Sequence, residues 1–475
     1  MAPTMRRESD ALGQVSIPAD ALYGIHQQRA RDAFGHLGGL VSPRLLRAYG
    51  AVKLACWRCN AALGYGHDAQ TQAAVEAACE ELITGDLHRH LPLAALQGGA
   101  GTATNLAVNE VLCNRALGML GLAPGPQQRL QPLRDLNRHQ STNDTYPTAL
   151  RVAALQALQE LEAVITALQN TLHDGERRWQ EVVKVGRTQL QDACYTTVGR
   201  SFGAWAEAIA RDRWRLSKCA ERLRLVNLGG TAIGSGLGAP REFIFRVVDV
   251  LRAVTGLRLA RAENLSDATQ HHDALVEVSG MLSAAASNLM KIAGDLRLLA
   301  SGPHAGLAEL RLPPQLTGSS IMPGKVNPVI PEMVQQAAMQ ICANHQTITQ
   351  AVGMGSLELN PFMPLIADRL LASMELLTGA AEALDQRCLR GLEINHEHLA
   401  RQVSNSTVSL ATALAGHLGH EAVEGLLADG SADLGERACA AGLLSAEDLQ
   451  RLSSAAQVLR LGSPSLHHDG EKDAP

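Results

Sequence analysis

Aromatic residues are scarce in this chain, and neither sign of charge dominates it. Phe, Trp and Tyr make up 3% of the 475 residues, and 42 Lys and Arg are offset by 47 Asp and Glu, for a formal net charge of −5. Few aromatics together with abundant Ala and Leu favour helices over sheets. Mixed charges leave no basic patch for nucleic acid or for an anionic membrane. We therefore predict an all-α protein that acts on a small molecule.

Long apolar runs and a disulfide pattern are also missing. No stretch of about 18 uncharged apolar residues occurs, and none follows Arg6 and Arg7, so neither a membrane span nor a secretory signal is indicated. The nine cysteines are scattered and odd in number, which predicts reduced, mostly buried thiols. Cys56 and Cys59 have the spacing of a redox pair, but they lie in a helical pattern with no preceding strand. These patterns predict a cytoplasmic protein.

Helical periodicity is the strongest structural signal. Apolar residues recur at alternating steps of four and three from Pro147 onward, and the same rhythm returns in four later segments. These segments are 198–226, 275–299, 329–352 and 364–388. We predict that the five helices form a central bundle.

The predicted bundle divides the chain. Residues 1–145 are expected to form a mixed, mainly helical domain, and 146–399 the central helical bundle. Residues 400–463 are expected to form a small helical C-terminal domain. The polar composition of 464–475 predicts a disordered tail.

One loop between the predicted helices, Gly318–Pro328, carries an unusual set of chemical groups. Gly318 and Gly324 provide backbone freedom, while prolines keep the segment out of a regular helix. Lys325 supplies a positive charge and Asn327 a directional donor. The segment is therefore suited to hold a carboxylate.

Three other polar clusters are rich in hydroxyl and amide groups and poor in charge. They span 98–105, 141–145 and 186–192. If the clusters converge with the loop, many short fixed donors and one lysine would stabilise charge developing on a carboxylate. Taken singly, the cluster that starts at Ser141 is typical of a helix N-cap, and Gly98–Thr102 could be a simple turn.

Two further patterns suggest more familiar sites but fit them poorly. The glycine-rich run 229–238 follows a helix, whereas a dinucleotide fingerprint follows a strand, so we predict an inter-helix loop. Segments 271–273 and 396–398 contain paired histidines without the spacing of a zinc helix. Surface helix ends are predicted for both, and no metal site is expected.

The four clusters occur in the order seen in the fumarase/aspartase superfamily, which the chain resembles from about Ile17 to Leu443. The segments Ile17–Ala30 and Gln97–Thr102 resemble the aspartase branch. The resemblance implies an all-α, three-domain fold whose central bundle forms a homotetrameric core with shared active sites. It also implies elimination from a succinate-type substrate without a cofactor, with L-aspartate giving fumarate and ammonia as the first hypothesis.

Roles for individual residues are likewise implied by the resemblance. Ser319 matches the general base, although the negative charge could lie on Ser320 instead. Lys325 and Asn327, aided by Thr188, match the groups that hold the C1 carboxylate. The remaining matches are Thr102, Ser141 and Thr142 around the other carboxylate, Asn143 and Gln189 facing the leaving group, and Glu332 behind Gln189.

Several positions depart from the aspartase pattern. They are Ala103, Ala107, Arg200, His271, His272 and Met363. The leaving group therefore stays open, with nitrite from a nitrosuccinate or a substituted amine as the main rival to ammonia and fumarate hydration third. Argininosuccinate-type and adenylosuccinate-type lyases rank lower. A non-catalytic scaffold is the alternative from another class, and the intact Ser319, Lys325 and Asn327 oppose it.

Overall fold

The computed structural model describes residues 4–35, 37–126, 128–428, 433–460 and 462. The predicted disordered tail at 464–475 lies outside these residues. The chain forms two compact units, which are described separately. Unit 1 comprises Met1–Val164, Asp212–Ser287 and Ala337–Gly379, and unit 2 comprises Ile165–Arg211, Asn288–Gln336 and Ala380–Pro475. The predicted domain boundaries after residues 145 and 399 stay a prediction.

The N-terminal part begins with a hairpin and continues as helices. Strands β1 (Met5–Asp10) and β2 (Gly13–Pro18) pair antiparallel. The helices that follow are α1 (Ile25–Phe34), α2 (Pro43–Asn60), α3 (Ala69–Thr84) and α4 (Thr102–Met119). The Ser42 side chain caps α2 and the Asp68 side chain caps α3, each by accepting first-turn N–H groups.

The central part contains the long helices and short strands between them. In chain order the elements are α5 (Thr142–Arg178), β3 (Val183–Thr188), β4 (Gln191–Thr197), α6 (Val198–Leu223), β5 (Leu225–Val226), α7 (Arg241–Thr255), β6 (Ala260–Arg261), α8 (Leu265–Gln270), α9 (Asp273–Leu299), β7 (Leu310–Arg311), α10 (Val329–Gly353) and α11 (Met363–Leu384). Strand β3 pairs antiparallel with β4, and β5 pairs parallel with β6. The five predicted bundle helices are confirmed as α5, α6, α9, α10 and α11.

The predicted apolar face of α5 is buried. Seven residues at alternating steps of four and three are each at most 3% exposed, namely Leu150, Ala154, Leu158, Leu161, Ile165, Leu168 and Leu172. Full burial of one leucine side chain stabilises a fold by about 1.5–3 kcal/mol. Packing of this face, rather than intrinsic propensity, therefore holds a helix this long in place.

Glycines allow α6 to start close to the end of α5 in unit 2. A Cβ atom on Gly199 would lie 2.5 Å from Gln180 Cα, and one on Gly203 would lie 2.3 Å from Glu176 Oε1. No side chain fits at either position without a shift of its neighbours. The β3–β4 hairpin connects these two helices, so the helix ends at the base of the hairpin are closely packed.

The C-terminal part is helical and has its own apolar core. Strand β8 (Glu393–Ile394) pairs with β7 and precedes the helices α12 (His396–Asn405), α13 (Thr407–Leu418), α14 (His420–Ala428), α15 (Leu434–Ala440), α16 (Ala446–Leu452) and α17 (Ala455–Val458). The core residues are Leu414, Val423, Leu434, Ala438, Leu444 and Leu452.

The cysteines and the helix lengths agree with the predictions of reduced, mostly buried thiols and of no membrane span. All nine cysteines are free thiols, and six of them, including Cys56 and Cys59, are buried as predicted. Burial raises the pKa of Cys59 to about 11, which disfavours the reactive thiolate. Over the described ranges, no helix is both long and apolar enough to span a bilayer. The cytoplasmic location stays a prediction.

Candidate active site

The loop 318–328 is closed by hydrogen bonds between its own two ends. The Gly318 N–H donates to Lys325 O at 2.9 Å, and Asn327 Nδ2 donates to Gly318 O at 2.5 Å. A Cβ atom on residue 318 would lie 2.1 Å from Lys325 O, so glycine is required there by close approach. This closure brings Ser319, Lys325 and Asn327 into one small structure.

Ser319 accepts two backbone hydrogen bonds within the loop. Its Oγ receives the N–H of Ile321 at 3.2 Å and that of Met322 at 3.0 Å. Donors that point at an oxygen stabilise negative charge on it more than they stabilise the neutral hydroxyl. The neighbouring Ser320 is exposed. The geometry therefore favours Ser319 over Ser320 as the oxygen able to carry charge.

A cavity of about 480 Å³ lies beside this loop and is lined by both Ser319 and Lys325. Lys325 is exposed and has no carboxylate partner in the part of the chain that the structure describes. Glu332 lies in the first turn of α10, where its Oε1 is 3.8 Å from Arg297 Nη2. Among the described residues, no hydrogen bond joins Glu332 to Gln189.

The β3–β4 hairpin presents Thr188 and Gln189 at an exposed tip. Thr188 pairs with Gln191, so the turn consists of Gln189 and Leu190, whose φ angles are 53° and 64°. Two-residue turns of this kind prefer Asn and Gly because both central residues need positive φ. Neither residue here suits that conformation, so the backbone is strained at a predicted site residue.

In unit 1, Asp144 joins the predicted 141–145 cluster to the glycine-rich loop. Its Oδ1 accepts the Ser141 N–H at 2.9 Å, and its Oδ2 accepts those of Gly229 and Thr231 at 3.0 and 3.1 Å. Burial raises the pKa of Asp144 to about 6, although the three N–H groups act in the opposite direction. Ser141 Oγ accepts the Asn143 N–H at 3.2 Å, so the helix-capping interpretation is correct.

Helix α5 begins at Thr142, directly after the Ser141 cap and five residues before Pro147, where the predicted apolar periodicity starts. Pro147 has no N–H to donate to the carbonyl four residues earlier, which belongs to Asn143. Asn227 Nδ2 donates to this carbonyl at 2.9 Å instead. Asn143 Nδ2 in turn donates to Ala232 O at 2.7 Å. The loop 229–238, which lies between α6 and α7 as predicted, is therefore held against the start of α5.

A buried polar network lies behind Thr142. Asn105 Nδ2 donates to Thr142 Oγ1 and to Asn137 Oδ1, both at 3.1 Å. Lys53 Nζ donates to Asn137 Oδ1 at 3.3 Å and to Gln140 Oε1 at 2.8 Å. Lys53 is 1% exposed, and burial lowers its pKa to about 8.

Lys53 and Asp144 are the residues of this region that sequence reasoning missed as candidates. Lys53 stands between Val52 and Leu54 on the buried face of α2, and a lysine within an apolar run is a signal that could have revealed it. Thr102, by contrast, was predicted and is exposed, with its Oγ1 donating to Gly99 O at 2.7 Å.

The positions that depart from the aspartase pattern have different surroundings. Ala107 is 0% exposed and Met363 is 1% exposed, so both are core residues. Ala103 is half-buried, and Arg200 is exposed and donates to Leu459 O at 2.8 Å.

The prediction that 271–273 is a surface helix end is wrong for one residue. His271 is exposed and its Nδ1 lies 2.9 Å from Asp267 Oδ1. His272 is 1% exposed, and neither of its ring nitrogens has a hydrogen-bond partner among the residues that the structure describes. Burial, together with the charge of Arg151, lowers the pKa of His272 to about 3. The segment 396–398 does form the first turn of a helix, α12, in which His396 and Glu397 are exposed and His398 is half-buried.

The structure therefore brings some of the predicted clusters together. Within unit 1, the 141–145 cluster contacts 98–105 through Asn105 and the 229–238 loop through Asp144. Within unit 2, the hairpin tip and the 318–328 loop are separate structures with no hydrogen bond between them in the described ranges. No group of three His, Cys, Asp or Glu side chains placed to hold a metal ion occurs among the residues described.

The chain matches a family of lyases. Residues 13–343 match the family model described as "Lyase". The chain belongs to this family, and the predicted membership of the fumarase/aspartase superfamily, the all-α fold class and the prediction of a lyase are confirmed.

Curated relatives are similar over most of the chain. The aspartate ammonia-lyase of Bacillus subtilis (strain 168) is 40% identical over 417 residues, which cover 88% of this chain and 87% of the relative. The aspartate ammonia-lyase of Pseudomonas aeruginosa is 43% identical over 419 residues, with 88% of each chain covered.

Solved structures share the architecture. The cobalt-bound crystal structure of fumarate lyase:delta crystallin from Brucella melitensis has a TM-score of 0.91 at 40% identity and covers 96% of this chain and 100% of its own. The recombinant class II fumarase from Schistosoma mansoni has a TM-score of 0.87 at 30% identity, with 96% and 99% covered.

Proposed function

We propose that this protein eliminates ammonia from L-aspartate to give fumarate. The observation that carries the proposal is the 318–328 loop, in which Ser319 Oγ accepts two N–H groups and Lys325 lies in the same closed structure. Relatives about 40% identical over 88% of this chain are named aspartate ammonia-lyase, which supports ammonia as the leaving group.

The proposed reaction uses Ser319 as its base. The Ser319 alkoxide takes the C3 proton, and the electron pair of the broken C–H bond moves into the adjacent carboxylate to give its doubly charged aci form. That form then collapses, the C2–C3 double bond forms, and the C2–N bond breaks with the electron pair leaving on ammonia. The proton remains on Ser319 and must be lost before the next turnover.

The other polar groups hold the substrate in this scheme. Lys325 and Asn327, with Thr188, bind the C1 carboxylate, and the hydroxyls of Thr102, Ser141 and Thr142 stabilise the aci carboxylate. Asn143 and Gln189 face the leaving group, and Glu332 supports Gln189. Neither a cofactor nor a metal ion takes part in this scheme.

A serine hydroxyl is a weak acid, so the proposed base requires neighbouring groups that stabilise its alkoxide form. Two N–H donors and the Lys325 ammonium would lower the free energy of the alkoxide. Closure of the exposed loop over the substrate would exclude water and strengthen both interactions.

We also propose that the active sites are shared within a homotetramer. The exposed residues of α10 between 333 and 350 carry no charge, and Met339 among them is 55% exposed. Such a face on a long bundle helix suits contact with another helix. Glu332 and Gln189 could then meet across subunits. Light scattering coupled to gel filtration tests the assembly, and a fully active monomer would contradict it.

The test of activity compares three substrates. Purified protein is incubated separately with L-aspartate, L-malate and nitrosuccinate, and fumarate is followed by its ultraviolet absorbance. We expect release from L-aspartate alone. Release from nitrosuccinate or L-malate, with silence on aspartate, would assign a different leaving group and make the altered positions candidates for specificity. Silence on L-aspartate would contradict the proposal, whether or not the other two substrates react.

A further inference from the structure

In unit 2, the buried carboxylate of Glu309 forms ion pairs with two basic side chains of β3, which is one strand of the hairpin that carries Thr188 and Gln189. Glu309 is 1% exposed, and its Oε2 accepts a hydrogen bond from Lys184 Nζ at 2.6 Å. Its Oε1 accepts a hydrogen bond from Arg187 Nη1. The Lys184 and Arg187 side chains are themselves only 8% and 14% exposed. None of these residues has a role in the reaction scheme above.

The spacing of the two basic residues along β3 determines how the strand is held. Lys184 and Arg187 are three positions apart on β3, on either side of the point where its pairing register with β4 shifts. Both side chains end on the same carboxylate. The two ion pairs therefore hold the strand at two points along its length, and the segment between them cannot shift without breaking one of the pairs.

The backbone between the two attachments is also constrained. The pairing register of β3 with β4 shifts between Val185 and Arg187, and a Cβ atom on Gly186 would lie 2.7 Å from Cys194 O. An irregularity of this kind bends the hairpin and increases its twist. The two ion pairs therefore lie on either side of the bend, and this bend sets the direction of the hairpin tip.

Glu309 is itself anchored at both sides. Its N–H donates to Leu299 O, at the end of α9, and its carbonyl accepts the Asn395 N–H, both at 2.9 Å. Strand β4 is held differently, because Ser406 Oγ donates to Asp192 Oδ2 at 2.9 Å and Ser409 Oγ donates to Ala193 O at 2.5 Å. The Glu309 carboxylate thus provides the charged attachment for the strand that leads directly into Thr188 and Gln189.

We propose that Glu309 is a positioning residue, which acts through Lys184 and Arg187 to aim Thr188 and Gln189 at the substrate. The inference rests on the proposed function, in which Thr188 helps to bind the C1 carboxylate. The strained turn at Gln189 and Leu190 needs such support, since a strained backbone persists only where its surroundings hold it.

The main test replaces Glu309 by Gln, which keeps the size of the side chain and removes its charge. A displacement of about 1 Å at a binding group costs up to about 10²-fold, so we expect kcat/KM to fall by about 10-fold to 10²-fold with a raised KM for L-aspartate. Glu309→Asp should restore part of this loss. The milder Lys184→Gln variant leaves the Arg187 pair in place and serves if Glu309→Gln folds poorly.

Asp385→Asn is the matched control. It removes another buried carboxylate of unit 2, paired with Arg390 at 2.9 Å and outside the hairpin. We expect it to lower the melting temperature while leaving KM unchanged. An unchanged kcat/KM in Glu309→Gln alongside a lowered melting temperature would show that Glu309 is merely structural.

A double-mutant cycle tests the route of action. If Glu309 acts through Thr188, Thr188→Ala should cost much less in the Glu309→Gln background than in the wild type. Losses that simply multiply would overturn the proposal.

Hydrogen exchange separates this inference from the proposed function. Amides of residues 183–197 should exchange faster in Glu309→Gln than in Asp385→Asn, whatever substrate the enzyme uses. A wild-type protein silent on L-aspartate would reject the proposed function, and unchanged exchange in the hairpin would reject the positioning role.

Discussion

The start of α5 and the loop 318–328 both carry predicted site residues, but they are held in place by different means. At the start of α5, backbone groups are bound by side chains far away in sequence, as in the hydrogen bonds of Asp144 to Gly229 and of Asn227 to the Asn143 carbonyl. Asp144, Asn227 and Gly229 are buried, and Asn143 is half-buried. In the loop, the bonds join residues within ten positions, and most of the segment is exposed.

The two ways of holding a segment in place suit different physical tasks. A region held by many distant contacts opens only when a large part of the fold opens, whereas a loop closed on itself can move as one piece. In the proposed reaction, the first arrangement suits fixed donors for a carboxylate, and the second suits a base that must admit substrate and then exclude water. Three substitutions test this division, and a fourth tests the burial of His272, in order from the largest expected effect to the smallest.

Ser319→Ala should abolish the chemistry without unfolding the protein. Loss of a general base costs about 10²–10⁴-fold in rate. In the described part of the chain, the side-chain hydrogen bonds of Ser319 lie within its own exposed loop, so we expect the free energy of unfolding to stay within about 0.5 kcal/mol of the wild type. Fumarate absorbance and urea denaturation measure the two effects. Ser320→Ala is the matched control, and an equal loss of rate there would assign the charge to the other serine.

Asp144→Ala should have the converse effect and unfold the buried region. It leaves the N–H groups of Ser141, Gly229 and Thr231 without their acceptor. Each unsatisfied buried group costs about 1–3 kcal/mol, and the Gly229 and Thr231 groups are both buried, so we expect a loss of at least about 2 kcal/mol in the free energy of unfolding. Urea denaturation checks this value. A loss below about 1 kcal/mol would mean that the region is not held in the way the contacts indicate.

Gly318→Ala should damage the loop alone. The added methyl group would meet Lys325 O, so the closure must open, and we expect about a 10-fold to 10²-fold loss of kcat/KM with little change in the melting temperature. Gly324→Ala is the control, since a Cβ atom there meets nothing within 4 Å and only the positive φ of 80° is unfavourable. Equal losses in the two variants would indicate that flexibility matters more than closure.

The buried ring of His272 should make the free energy of unfolding depend on pH. The pKa of buried His272 is lowered to about 3, so between that pH and about 6.5 the unfolded chain binds more protons and stability falls as the pH falls. His272→Leu should remove this dependence, which amounts to about 1 kcal/mol between about pH 7 and pH 5.5. Urea denaturation at the two pH values measures it. His271→Leu, which leaves the buried ring of His272 in place, is the control, and identical behaviour of the two variants would contradict the burial of His272.

Sequence reasoning succeeded where the determining contacts are local or periodic. The alternating steps along α5 predicted its buried face because a helix places residues three and four apart on one side. The glycines and prolines of 318–328 predicted an irregular loop for an equally local reason, since they restrict or free their own backbone.

It failed where a distant partner decides the outcome. Nothing near Asn143 in the sequence shows that Asn227 will bind its carbonyl. His272 was predicted at the surface beside His271, yet tertiary packing buries one ring and exposes the other. Lys53 and Asp144 were missed as candidates because their partners are far away in sequence, 84 residues away for Lys53 and Asn137 and 85 for Asp144 and Gly229.

The sequence by itself determined the all-α class, the five bundle helices, the signature loop and the family. Each depends on spacing or on the backbone preferences of single residues, which can be read locally. Only the tertiary structure decided which polar groups are buried together, as in the attachment of Lys184 and Arg187 to Glu309. The physical reason is that burying a charge is unfavourable unless a partner meets it, and that partner is supplied by packing of segments far apart in the chain.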